Sequence, residues 1–140
     1  MQVDPGNRFG FVLIPNFSLG AYSAAVETLR LANHVAGETL YTWQTYSLEG
    51  EPIAASNQVQ VLTEPLPEEP VMSTFLLCGG LDTEKYQSRR LDAWLRQISR
   101  RNVKFCFSTK MPSSEVTTTK MSALPNRKNM AQAGTLSLRS

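Results

Sequence analysis

Histidine is nearly absent from this chain, His34 being the single one among 140 residues. Cysteine is scarce too: Cys78 and Cys106 each sit inside an apolar run, without metal-ligand spacing. These shortages argue against a His/Cys metal centre, and no metal or cofactor is expected. They also predict buried free thiols in a reducing, cytoplasmic setting rather than a disulfide framework. No window approaches the ~18 apolar residues of a membrane-spanning helix, and no basic stretch at the N-terminus leads into an apolar one. Neither a membrane partner nor a secretory signal is therefore expected. Strong charge is missing as well, with a net of +2, and it is unevenly spread. Residues 1–104 hold nine Lys/Arg against eleven Asp/Glu, whereas residues 105–140 hold five against one. No helix-turn-helix pair, zinc spacing or aromatic-basic platform is present, so nothing in these residues reads nucleic acid directly.

What is there is organised around residues 8–36. Phe9–Ile14 is a nearly continuous apolar run, as a strand buried on both faces reads in a parallel sheet covered by helices. Pro15-Asn16 ends it, because proline cannot donate to the ladder and asparagine suits a turn. Ser18 is placed to cap a helix from Leu19 to Ala36. Leu19, Tyr22, Val26, Leu29 and Leu31/Ala32 recur at helical spacing, and Gly37 supplies the left-handed stop.

Further on, Leu40–Leu48 reads as a second strand, rich in aromatic and β-branched residues. Pro52–Ala54 and Val59–Leu62 read as short strands around a Ser56-Asn57 turn. Residues 63–70, with three prolines and three acids, read as a surface connection. Thr74–Cys78 is another buried strand, ended by Gly79-Gly80. Asp82 or Thr83 should cap a helix carrying Glu84 in its first turn and a buried stripe of Leu91, Trp94, Leu95 and Ile98. A last central strand starts at Val103. The order β-α-β-β-β-β-α-β, with a small hairpin inserted, predicts an α/β three-layer sandwich: a mostly parallel sheet with helices on both faces.

From Ser108 the character changes. Eleven of the last 33 residues are Ser or Thr, none is aromatic, and apolar residues lack period. Such a segment has little to offset the entropy of ordering, so it reads as a disordered tail. A chain that stops building its sheet here should leave one side of Phe11, Leu13, Leu76 and Phe105 wet, and so be molten or self-associated.

Three features bear on chemistry. The Cys78-Gly79-Gly80 turn lets backbone approach a ligand at the carboxyl edge of the sheet, or is a tight turn that needs positive φ. Cys78 as a nucleophile would need exposure and a base, yet His34 stands near the far end of the first helix. The arginines Arg89/Arg90, Arg96 and Arg100/Arg101 interleave with Glu84 and Asp92 and read as a solvated helix face.

In ordered combination, several stretches resemble the opening of GlxA-like members of the AraC transcription regulators. They are Phe9–Ser18, Val26–Asn33, Tyr41-Thr42-Trp43, Ala55-Ser56-Asn57 and Phe75–Gly80. The resemblance covers residues 8 to about 104. It implies an effector-sensing domain similar to the ThiJ/PfpI and class I glutamine amidotransferase folds, incomplete here, followed in intact relatives by an AraC-type DNA-binding domain. It divides the chain into a partial sensing domain, 8–104, and a divergent tail, 105–140. It also implies a small-metabolite effector, DNA contact only through the missing C-terminal domain, and self-association as a homodimer. A frameshift or rearranged gene end would account for the lost resemblance and the changed composition together.

The enzymes of that superfamily use a glutamate at the start of the first helix, where this chain has Ala21, and a nucleophile on a glycine-flanked turn. Here the corresponding stretch reads Phe105-Cys106-Phe107-Ser108, with no glycine until Gly134. A sensing module rather than an enzyme is therefore expected, with no catalytic residue. Its ligand contacts should come from Asn16, Phe17, Cys78, Gly79 and Gly80. The rival reading is a divergent ThiJ/PfpI-type cysteine hydrolase or glyoxalase acting through Cys78.

Overall fold

The computed structural model describes residues 3–69, 71–80, 86, 88–101, 104–108 and 117–119, the last two segments as backbone. Eight strands and two helices follow in the order β1 (Arg8–Leu13), α1 (Leu19–Ala36), β2 (Thr42–Ser47), β3 (Ile53–Ala54), β4 (Gln60–Val61), β5 (Glu64–Pro65), β6 (Thr74–Cys78), α2 (Arg89–Ser99), β7 (Lys104–Ser108) and β8 (Thr117–Thr119). Six strands form one sheet in the order β5-β2-β1-β6-β7-β8, while β3 and β4 form a separate antiparallel pair. All main-sheet pairings are parallel except β7 with β8. The two most apolar runs, β1 and β6, lie side by side at the centre. There both faces are covered, so the usual polar alternation has no place.

From β1 the chain crosses through α1 to β2 on one side, and from β6 through α2 to β7 on the other. Crossovers are right-handed almost without exception, so opposite directions of travel put the helices on opposite faces. Side-chain alternation follows. Val12, Ile14, Tyr46, Phe75 and Leu77 pack against Leu91, Trp94, Leu95 and Ile98 of α2. Phe11, Leu13 and Cys78 point the other way, to Leu19, Tyr22, Ala25, Val26 and Leu29 of α1, joined by Phe17, Ile53 and Ala55. The three-layer α/β sandwich expected from the sequence is present.

Helix α1 begins where expected. The Ser18 hydroxyl accepts from the Ala21 N–H at 3.3 Å, and Gly37 closes the helix at φ 69°, its N–H donating to the His34 carbonyl. Asn33 ties the end of this helix to the approach of β2. Its side chain accepts from the Leu40 and Tyr41 N–H groups, both at 2.9 Å, and donates to the Tyr41 carbonyl at 3.0 Å.

Other expectations are corrected. Leu31 is 48% exposed, because Ala32 rather than Leu31 continues the inward stripe. Helix α2 is described from Arg89, with the Ser88 hydroxyl accepting from the Leu91 N–H; Asp82, Thr83 and Glu84 lie outside the described residues. Within the proline-rich connection, Glu64–Pro65 pairs with Tyr46 and Ser47 at the sheet edge, where a residue lacking an N–H is tolerated. Of the four side chains expected to be left wet, Phe11 and Leu13 are 1% and 3% exposed, because α1 lies over them, and Leu76 is half-buried; the side chain of Phe105 lies outside the described residues. The Ser/Thr-rich segment contributes Thr117–Thr119, antiparallel to β7; residues 109–116 and 120–140 lie outside the described residues.

Candidate functional site

Because the connections from β1 and β6 diverge, the carboxyl ends of these two strands flank a topological switch point, the place where open α/β sheets take ligands. The turn after β1 (residues 14–18) and the turn after β6 (residues 78–80) meet there. Ile14 N–H donates to the Cys78 carbonyl and Ser18 N–H to the Gly79 carbonyl, both at 3.0 Å. Asn16 has φ 65°, a left-handed conformation that asparagine tolerates better than most side chains. Its carbonyl presses against Gly80, where a Cβ would stand 2.2 Å from the oxygen. Neither Gly79 nor Gly80 has positive φ. Close approach of two backbones, not a left-handed turn, is what requires glycine at position 80.

A third segment joins them. Asn16 N–H donates to the Ala54 carbonyl at 3.0 Å, and Ser56 N–H donates to the Phe17 carbonyl at 2.9 Å. The hairpin β3–β4 is thereby pinned beside the first turn, with a parallel bridge between Phe17 and Ala55. Its tip holds a second strained residue, Gln58, at φ 73°. The sequence marks a short strand at Pro52–Ala54 and a turn at Ser56-Asn57, but not that this turn lies against the one after β1. The available signal was a run of small residues, Ala54-Ala55-Ser56, whose Ala55 lies 2% exposed against Phe17.

All five expected site residues reach this edge, but they present different surfaces. Asn16 is exposed and Gly80 half-buried, whereas Gly79 is buried. Phe17 and Cys78 are 0% and 2% exposed and belong to the core on the α1 side. Phe17 stands edge-on to Tyr22 at 5.7 Å, and Tyr22 edge-on to Phe11 at 5.5 Å. The Tyr22 hydroxyl is 2.7 Å from the Thr45 hydroxyl. Burial pushes the Tyr22 phenol above its ordinary pKa, the Thr45 bond pulls it back in part, and the nearby Cys78 thiol pushes it up again. His34 lies in the last turn of α1, most of a helix length, about 24 Å, from the end that carries Ser18. No base of that type reaches Cys78. Among the described residues no group of three His, Cys, Asp or Glu could hold a metal ion.

Ser47, 1% exposed at the carboxyl end of β2, accepts from the Gly50 N–H at 3.0 Å and lies 2.7 Å from the Thr63 hydroxyl. Thr63 donates to the Glu51 carbonyl at 2.6 Å. This network closes the turn after β2 on itself, and its hydroxyls are engaged within it.

No protein-family model matches the chain. Over 103 residues it is 34% identical to the HTH-type transcriptional regulator GbdR of Pseudomonas aeruginosa, covering 70% of this chain and 28% of that protein. Over 99 residues it is 32% identical to the HTH-type transcriptional regulator GlxA of Rhizobium meliloti, covering 69% of this chain and 31% of that one. An AraC family transcriptional regulator from Pseudomonas putida superposes with a TM-score of 0.64 at 21% identity, over 70% of this chain and 61% of that chain. Over about 70% of its length the chain is thus a homologue of GlxA-type HTH transcriptional regulators. Its fold is also that of the DJ-1/ThiJ group. A DJ-1 superfamily protein from Agrobacterium tumefaciens superposes with a TM-score of 0.53 at 15% identity, over 72% of this chain and 52% of that chain. This GlxA-like chain spans less than a third of the length of the curated regulators it matches. No helix among its described residues is long and apolar enough to cross a membrane.

Proposed function

We propose that residues 8–104 form part of the effector-sensing domain of an AraC-type regulator, binding a small metabolite at the carboxyl ends of β1 and β6. The observation that carries this reading is Asn16. It is a non-glycine residue in a left-handed conformation, exposed at a topological switch point, with its N–H bonded to the Ala54 carbonyl and its own carbonyl packed against Gly80. Strained residues held by over-determined surroundings cluster at ligand sites. Asn16 offers an amide donor and acceptor, Gly80 offers accessible backbone, and Phe17, Cys78 and Gly79 set the shape from beneath. On this reading residues 105–140 are a divergent tail. The protein is a cytoplasmic sensor that works as a homodimer and meets sequence-specific DNA through a further domain of the kind its relatives carry.

The reading is non-enzymatic. Ala21 puts no acid at the start of α1, and the Cys78 thiol is buried without a histidine in reach. A hydrolase or glyoxalase acting through Cys78 would need a reactive thiolate. Alkylation of the native protein across pH should therefore show Cys78 protected, and rapid labelling below pH ~8.5 would favour the enzyme. Sensing is tested by a thermal-shift screen of small metabolites on the 140-residue chain and on Asn16→Ala. A ligand whose affinity falls about tenfold in the variant supports the site. Equal affinity in both proteins places binding elsewhere.

A further inference from the structure

The five arginines of α2 divide into two groups in the structure. Arg90 pairs with Glu49 and Arg101 with Glu69, acids from the turns beside β2 and β6. Arg89, Arg96 and Arg100 are exposed and form no ion pair among the described residues. At 3.6 residues per turn, these three fall within about 40° of one another on the helix. They lie directly opposite the buried Leu91, Trp94, Leu95 and Ile98. Arg100 keeps helical geometry, φ −72°, as the C-cap, so the row runs the full length of α2, about 16 Å. Helix stabilisation accounts for Arg96 and Arg100, which sit at the negative end of the macrodipole, but Arg89 opens the helix at its positive end, where a cation is disfavoured.

We propose that Arg89, Arg96 and Arg100 form an electrostatic contact strip for the phosphate backbone of nucleic acid, one that touches DNA without reading its sequence. The inference rests on the regulator reading above, since that reading keeps this domain beside DNA. A neighbouring sequence-specific domain would hold the strip at high effective concentration over the flanking duplex, where each neutralised phosphate releases counterions. Three guanidiniums on one straight edge suit a linear polyanion, and guanidinium geometry suits phosphate. An acidic protein surface is the competing partner, and the test separates the two.

The experiment uses the whole 140-residue chain, the triple variant R89Q/R96Q/R100Q, and the control R90Q/R101Q. Binding to a duplex of arbitrary sequence and to poly-glutamate is followed by fluorescence anisotropy as salt is varied. Circular dichroism checks that each protein is folded. Each phosphate contact contributes a slope of about −0.9 in log K against log salt. The triple variant should therefore bind DNA with a slope shallower by about 2–3, while the control changes it by less than 1. The basic segment beyond Phe107 contributes equally to all three proteins and cancels. An unchanged DNA slope in the folded triple variant overturns the proposal. So does a loss confined to poly-glutamate, which would assign the strip to an acidic protein. Effector binding, read separately through Asn16, stays intact in the triple variant, so failure here is distinguishable from failure of the sensing site.

Discussion

The two faces of the central sheet carry helices of opposite economy. Helix α2, 11 residues long, buries Leu91, Trp94, Leu95 and Ile98 almost completely. Helix α1, 18 residues long, buries none of its side chains fully. Although Leu31 and Val35 on its outer side weaken its amphipathic contrast, the longer helix has the better caps, so intrinsic helix formation does not explain the difference. Neighbours do. Helix α2 lies over Phe75, Tyr46 and Leu77 with the residue 66–69 segment along one flank: Trp94 Nε1–H donates to the Pro67 carbonyl at 2.8 Å and Gln97 to the Glu68 carbonyl at 3.2 Å. Over α1, Tyr22, Ala25, Val26 and Leu29 cover Phe11 and Leu13, while their own outer sides stay half-exposed and Val35 is 84% exposed. A helix on a sheet is buried by what lies beside it as much as by what lies beneath.

The difference can be broken or sharpened by substitution. The largest effect belongs to Phe75→Ala. Phe75 is 0% exposed and edge-on to Trp94 at 5.1 Å, and its truncation should cost about 3–5 kcal/mol in urea unfolding. On the other face, Leu29→Ala, half-buried, should cost roughly 1–2 kcal/mol; equal losses from the two would mean the faces are not unequal in energy. Next comes Gly10→Ala. The new methyl would stand 2.5 Å from the Phe75 ring and 3.2 Å from that of Tyr46, overpacking that costs about 1–3 kcal/mol. A neutral outcome would show that the α2 side is loose enough to yield.

Tyr22→Phe comes third, at about 1 kcal/mol, because it removes the partner of the Thr45 hydroxyl on a residue only 8% exposed. It also carries a pH signature. Burial raises the pKa of both Tyr22 and Tyr46, with Glu64 adding to the rise at Tyr46. A folded pKa raised above the ordinary value means the fold favours the neutral phenol. That stability is fully present below pH ~10 and is lost as pH climbs through the folded values. Alkaline denaturation should begin above that point, and Tyr22→Phe should blunt it; an identical alkaline limb in the variant would assign the loss elsewhere. Smallest of all, Leu31→Gln and Val35→Gln should move stability by less than ~0.5 kcal/mol, since both side chains stand mainly in solvent.

Much of this architecture was legible in the residues. Unbroken apolar runs marked β1 and β6 as doubly covered strands. Ser18 and Gly37 marked both ends of α1, and the period of Leu91, Trp94, Leu95 and Ile98 marked the face of α2. Those signals are local, because caps and periodicity act within one or two helical turns. Strand partnership is not local. That Glu64–Pro65 would close the sheet edge, or that Thr117–Thr119 would lie against β7, depends on backbone groups brought together from distant parts of the chain.

The candidate site divides in the same way. Sequence alone determined that turns follow β1 and β6, that glycines stand at 79 and 80, and that Cys78 has no histidine near it in the chain. Only the tertiary structure decided which of those residues face solvent. Cys78 turns into the core because the alternation of β6 aims it at α1, Phe17 because the turn after β1 bridges to Ala55 and packs it against Tyr22, and Asn16 is left outside with its carbonyl against Gly80. It also decided that Ala54 and Ser56 belong to the site and that Arg90 and Arg101 are paired while Arg89, Arg96 and Arg100 are not. The physical reason is common to all of these. Exposure, strain and ion pairing depend on what a residue meets from another part of the chain, and that is settled only when the sheet has set its strand order.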